Sequence, residues 1–155
     1  MRERITDAFG MEVLGTDGFP RRDKLRELVF SDAERRKTLE FILHPEVRGQ
    51  WELLAANARK TGNWLLVDIP LLYETGVQSA FDRVIVVACS RAMQLKRLIL
   101  ERGLALGLAD RILNTQLDIG AKTQFADHVI WNDSTVSNLD GQSELLAAWL
   151  KQHCG

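Results

Sequence analysis

Trp64-Leu65-Leu66-Val67-Asp68-Ile69-Pro70-Leu71-Leu72-Tyr73-Glu74 sets how the rest of the chain reads. The apolar run 64–67 is too short for a helix and predicts a parallel strand covered on both faces. Ligands of open α/β sheets collect at the carboxyl ends of the strands, which makes Asp68 the first candidate for chemistry. The competing reading leaves Asp68 as a turn cap and Glu74 as a surface residue, and position alone does not separate the two.

Downstream, Asp82–Ala88 and Asp127–Trp131 are two further β-branched runs of parallel-strand type. Between them Ser90 is placed to cap a helix over 91–101, Gly103 and Gly107 bracket a loop, and a further helix carries Ile112, Leu113 and Gln116. Asn132-Asp133-Ser134 turns the chain into a last helix over about 139–152. Helix–strand alternation of this kind means α/β with a mostly parallel sheet, here with three recognisable strands.

Upstream, residues 1–9 form an amphipathic helix stopped at Gly10, and Met11–Leu14 is expected to be extended before a turn at Asp17-Gly18. From Arg21 to Lys60 the apolar spacing is helical. Ser31 and Glu34 have capping-box spacing, His44-Pro45 is expected to break the second helix and open a third, and Thr61-Gly62-Asn63 is the stop. This block is dense in basic residues, among them Arg21, Arg22, Lys24, Arg26, Arg35, Arg36, Lys37 and Arg48. A second basic set, Arg91, Lys96, Arg97, Arg102 and Arg111, flanks the Gly-bounded loop. Two readings stand for it: a mobile lid over a nucleotide, or a solvated helix face.

Composition excludes several classes. A length of 155 residues predicts one domain with a real core, and a net charge of −1 gives no pull toward nucleic acid or an anionic membrane. Cys89 and Cys154 match no zinc or redox spacing and fit a reducing cytoplasm, and no run approaches membrane-spanning length. Gly10 and Gly15-Thr16 have the glycine spacing of a phosphate loop, but no lysine and no preceding strand, so they are read as coincidence. There is no serine-hydrolase elbow and no HExxH helix, His44 beside Pro45 reads as a helix-end residue, and His128 and His153 have no ligand partners at useful spacing, so no metal site is expected.

Taken together, Phe9-Gly10, Asp17-Gly18 leading to Arg22, Leu25 and Phe30, Leu43-His44-Pro45, Asp68–Glu74, Gln94-Leu95-Lys96-Arg97, Arg102, Arg111-Ile112, Gln116, Lys122 and Ala126-Asp127-His128-Val129-Ile130 with Asn132 resemble the dephospho-coenzyme A kinases. The match runs in order over nearly the whole chain. The resemblance implies a P-loop NTPase-type parallel sheet, a helical substrate-binding insertion over 21–62 and an Arg-rich lid over 91–117, within one kinase domain spanning 1–155. It implies ATP with Mg²⁺ as co-substrate and dephospho-CoA as acceptor, in the cytoplasm, with no nucleic-acid or membrane partner; it leaves the oligomeric state open. Carried over residue by residue, Asp68, Arg102 and Arg111 are the catalytic set, with Asp68 near Mg²⁺. Arg22, His44, Pro70, Leu71 and Glu74 lie on the substrate side, and Arg97, Arg102 and Asn132 on the nucleotide side.

The family's GxxxxGK loop (then Ser or Thr), its first strand and its Asp-rich second strand are not among these residues. By resemblance the sheet order is 2-3-1-4-5, with strand 1 between 64–68 and 83–88. The expectation is an N-terminally truncated kinase domain, inactive alone; the alternatives are a non-catalytic CoA- or nucleotide-binding module, or a P-loop kinase of another small-molecule substrate.

Overall fold

Contacts in the computed structural model divide the chain into two units, Met1–Asp68 and Ile69–Gly155. The structure describes residues 1–153, and for Phe30 and Ser31 the backbone alone, so Cys154 lies outside the described residues.

The first unit is helical. Helix α1 (Arg2–Phe9) buries Ile5 and Phe9, spaced by one turn, and ends at Gly10, whose φ of 88° only glycine adopts freely. Residues 11–14 are not the extended piece expected. Met11–Val13 make a single 3₁₀ turn, and only Leu14 bridges, antiparallel, to Pro20. The turn is short because the chain reverses at once: Gly15 N–H donates to Phe19 O and Arg21 N–H to Val13 O, each at 2.8 Å. Helix α2 spans Arg22–Ser31. Helix α3 spans Ala33–Thr61, and its cap is Asp32, whose carboxylate accepts from Glu34 and Arg35 N–H at 2.9 and 3.2 Å. The expected cap, Ser31, instead closes α2, and its side chain is outside the described set.

Pro45 does not break the helix. It sits inside α3 although it cannot donate to the Phe41 carbonyl, an internal cost of about 3 kcal/mol. Burial of Ile42 on one side and Trp51 on the other holds the two halves in one helix, with Arg36–Glu40 and Arg48–Glu52 pairs along its surface. Ile5, Phe9, Val13, Leu25 and Ile42 form this unit's core.

Residues 64–68 are not a strand. They run without a ladder partner among the described residues, and Leu66 is 86% exposed. A strand exists only by pairing, and the neighbour that the resemblance assigns to this segment is not among these 155 residues.

The second unit carries the sheet. Strands β1 (Ile85–Ala88) and β2 (His128–Trp131) pair in parallel, Ile85 opposite His128 and Ala88 opposite Trp131. The crossover consists of α4 (Arg91–Lys96), a π turn (Arg97–Glu101), α5 (Leu106–Asn114) and α6 (Ile119–Phe125); α7 spans Val136–His153. The architecture is therefore α/β with a short parallel sheet, with two strands paired rather than three. Val84, Val86 and Ala88 are buried against Leu72, Tyr73, Phe81, Ile119 and Ala126. Val87 is 59% exposed, so β1 is covered on one face and not on both. The β-branched run cannot reveal this, because strand propensity is the same whether or not a second layer is present.

The two sheet edges differ. On β2, Gln142 of α7 receives Trp131 N–H on its amide oxygen and donates to Trp131 O, both at 2.9 Å, so a side chain takes the place of a neighbouring strand. On β1, the bonds to Val84 O and Ala88 O show that the even-numbered residues face β2, which leaves Ile85 and Val87 pointing to the other edge.

Candidate active site

The carboxyl ends of β1 and β2 are stitched together by side chains from the turns that follow them. Asn132 N–H donates to Ala88 O at 2.7 Å, and Ser90 N–H donates to Asp133 Oδ1 at 2.7 Å. That Ser90 bond, more than any other contact, holds the Asp133 carboxyl below the usual range. Ser90 caps α4 as expected, its Oγ accepting from Met93 N–H. One turn on, the Arg97 guanidinium reaches back: Nη2 donates to Asn132 O at 2.8 Å and to Asn132 Oδ1 at 3.2 Å. Two of the residues assigned to the nucleotide side are thus in direct contact. Burial pushes the nearby Cys89 thiol up despite the opposing Arg97 charge, so it is no activated nucleophile.

Arg91 is paired with Asp110 Oδ1 at 2.6 Å and Asn114 Oδ1 at 2.7 Å, which ties the start of α4 to α5. Arg111 Nε donates to Gly107 O at 3.2 Å within its own helix, and the Arg102 side chain is exposed with no partner among the described residues. Gly103, at φ 66°, follows Arg102 and turns the chain toward α5. A cavity of about 220 Å³ opens among α4, α5 and α6, with Arg91, Gln94, Asn114, Gln116 and Lys122 in its wall. It has room for a phosphate or sugar group rather than a whole nucleotide, ligand pockets usually being roughly 300–1,000 Å³.

Pro70 and Leu71 begin the turn that leads to Glu74. Glu74 Oε1 accepts from Lys122 Nζ at 2.7 Å and from Leu117 N–H at 2.9 Å. Burial alone would raise the Glu74 pKa, but these bonds outweigh it and the carboxyl lies below its ordinary value. The adjacent Tyr73 ring packs on Phe125, its buried hydroxyl has no hydrogen-bond partner among the described residues, and burial pushes its pKa up.

In the first unit, Arg22 starts α2, His44 lies midway along α3 and Asp68 ends the unpaired segment; all three are exposed, and no bond links them to one another. No group of three or more His, Cys, Asp or Glu side chains converges to hold a metal among the described residues.

Reading from sequence overlooked Asp133, Gln142 and the Arg91–Asp110–Asn114 contact. Asp133 was within reach: it stands two residues past β2, as Ser90 stands two past β1, where an Asx side chain can serve the neighbouring turn. Gln142 had no such signal, because its role depends on how α7 lies along β2.

A sequence profile described as dephospho-CoA kinase matches residues 1–138. The chain belongs to the dephospho-CoA kinase family. It is similar to the dephospho-CoA kinase of Fusobacterium nucleatum, at 33% identity over 139 residues, 90% of this chain and 71% of that one. With the Bacillus cereus dephospho-CoA kinase it shares 37% identity over 144 residues, 92% of this chain and 72% of that one. Among solved structures, the Campylobacter jejuni dephospho-CoA kinase superposes with a TM-score of 0.69 at 27% identity, covering 99% of this chain and 77% of that one. By this membership the chain is of phosphotransferase type, and its short parallel sheet is part of a P-loop NTPase fold. No helix among the described residues is long and apolar enough to cross a membrane.

Proposed function

We propose that these 155 residues supply the acceptor-binding and lid elements for transfer of the terminal phosphoryl group of ATP to the 3′-hydroxyl of dephospho-CoA, giving ADP and CoA in the cytoplasm. The observation that carries the reading is the Arg97–Asn132 contact at the carboxyl ends of two parallel strands, the place where open α/β sheets take ligands. In this reading Asn132, held by Arg97, faces the base. Arg102 and Arg111 carry charge to the triphosphate, and Arg22, His44, Pro70 and Leu71 receive the acceptor.

The reaction breaks the bond from the terminal phosphorus to its bridging oxygen and forms one to the 3′-oxygen, whose proton leaves. The protein's part is positioning and charge stabilisation. Mg²⁺ in such sites is held largely by phosphates with one or two carboxylates. Asp68 is the carboxylate offered here, and it would supply one oxygen ligand. A phosphate loop with its lysine is not among these residues, so this stretch alone binds its ligands without turning them over.

The test combines calorimetry with ATP and dephospho-CoA and an assay for CoA formation, both on the 155-residue chain. Saturable binding without turnover supports the reading. Turnover by this chain overturns the claim that the loop is indispensable, and binding of neither ligand overturns the substrate assignment.

A further inference from the structure

Most charged pairs of this protein are surface pairs that contribute little. From Met1–Glu46 to Arg91–Asp110, every other ion pair described leaves both side chains at least 41% exposed. Lys122–Glu74 is different, at 12% and 20%, although the Glu74 backbone itself faces solvent. Glu74 Oε1 is shared between Lys122 Nζ and the Leu117 amide. It therefore ties three pieces of the second unit at one atom: the turn after Pro70, the junction between α5 and α6, and α6 itself.

On the α5 side, Arg91 of α4 also holds Asp110 and Asn114, at 2.6 and 2.7 Å. Thr115 and Gln116 N–H groups return to carbonyls of α5, and Asp118 caps α6 through Gly120 N–H. These bonds are local to one helix or the other and do not fix how the two meet. Helix α5, which carries Arg111, thus has a glycine turn at one end (Gly103) and the Glu74 clamp at the other. Gln116, Leu117 and Lys122 also form part of the wall of the cavity that Arg91 enters.

We infer that Glu74 and Lys122 are positioning residues for the phosphoryl-transfer reaction, fixing the α5–α6 junction next to the Arg91–Asn114 contact and so setting where the arginine-bearing segment 102–114 ends. The inference rests on the function proposed above. It gives Glu74 an internal anchoring role, its carboxylate engaged through Oε1 by both Lys122 and the Leu117 amide.

Hydrogen exchange read residue by residue, with calorimetry on the same samples, tests it. In Glu74→Ala and Lys122→Met, exchange at Leu117 rises about tenfold, as expected for loss of a bond to a charged acceptor, while β1 and β2 amides stay within about twofold of wild type. Lys122→Arg keeps the pairing and restores protection. ATP affinity falls about tenfold in Glu74→Ala and in Lys122→Met and stays at the wild-type level in Lys122→Arg. A uniform rise that includes β1 and β2 reduces the pair to general stability and overturns the inference, as does unchanged exchange at Leu117. A loosened junction with unchanged ATP affinity also overturns it. A wild-type chain that binds no ATP refutes the proposed function instead, and the exchange result then decides whether the anchor exists.

Discussion

Replacing Arg97 by alanine removes a side chain that joins the π turn after α4 to the end of β2. Its Nη2 serves two acceptors, Asn132 O at 2.8 Å and Asn132 Oδ1 at 3.2 Å, and the residue is half-buried. A hydrogen bond from a charged donor contributes about 1.5–3 kcal/mol. Because one nitrogen is shared between both contacts and water reaches the pair, the total is set at about 2 kcal/mol rather than double that figure. For a chain of this size such a loss corresponds to a melting-temperature drop of about 4–8 °C. Urea unfolding followed by circular dichroism reads the change. Arg97→Lys keeps the charge but not the planar fork and is expected to retain about half of the stabilisation. If Arg97→Ala unfolds within about 0.5 kcal/mol of wild type, the range of an ordinary surface substitution, the reasoning is wrong. In that case Arg97 is free to meet the nucleotide directly.

Three further outcomes are expected. Tyr73→Phe removes a buried hydroxyl that has no partner among the described residues and should raise stability by about 1 kcal/mol in thermal unfolding; a loss of that size would reveal a bound water or other partner at the hydroxyl. Asp32→Ala deletes the α3 cap and should cost about 1 kcal/mol in urea unfolding, with Asp32→Asn nearly neutral; equal losses in both variants would assign the effect to charge instead. Because the Glu74 pKa is lowered in the folded state, its stabilisation is complete above the unfolded value of about 4.3 and is lost as pH falls through the folded value. Lys122→Met should therefore flatten the acid limb of the stability curve below about pH 4.3, and an unaltered limb would show that the pair is not linked to folding.

The family was legible from residues alone because its signature is local chemistry: Asp68–Glu74, Gln94–Arg97 and Ala126–Asn132 keep their order and spacing whatever surrounds them. The α/β class, the strands at 85–88 and 128–131 and the Ser90 cap could be read for the same reason, since short-range propensity and capping act within a few residues. The strand over 64–67 could not be settled in that way. Trp64–Val67 is a good strand sequence, but backbone pairing needs a neighbour, and apolar side chains do not supply one. Pro45 likewise reads as a break by its own geometry and lies inside α3 because burial of Ile42 and Trp51 outweighs its local penalty.

The candidate site divides along the same line. Which residues carry charge or hydrogen-bonding groups, from Arg22 and His44 to Arg102, Arg111 and Asn132, is written in the sequence. Whether such a group is free to meet a ligand or already committed depends on partners far along the chain. Arg97 is committed to a residue 35 positions away and Glu74 to an amide 43 positions away. Contacts at that separation follow from how strands and helices pack, and only the tertiary structure decides them.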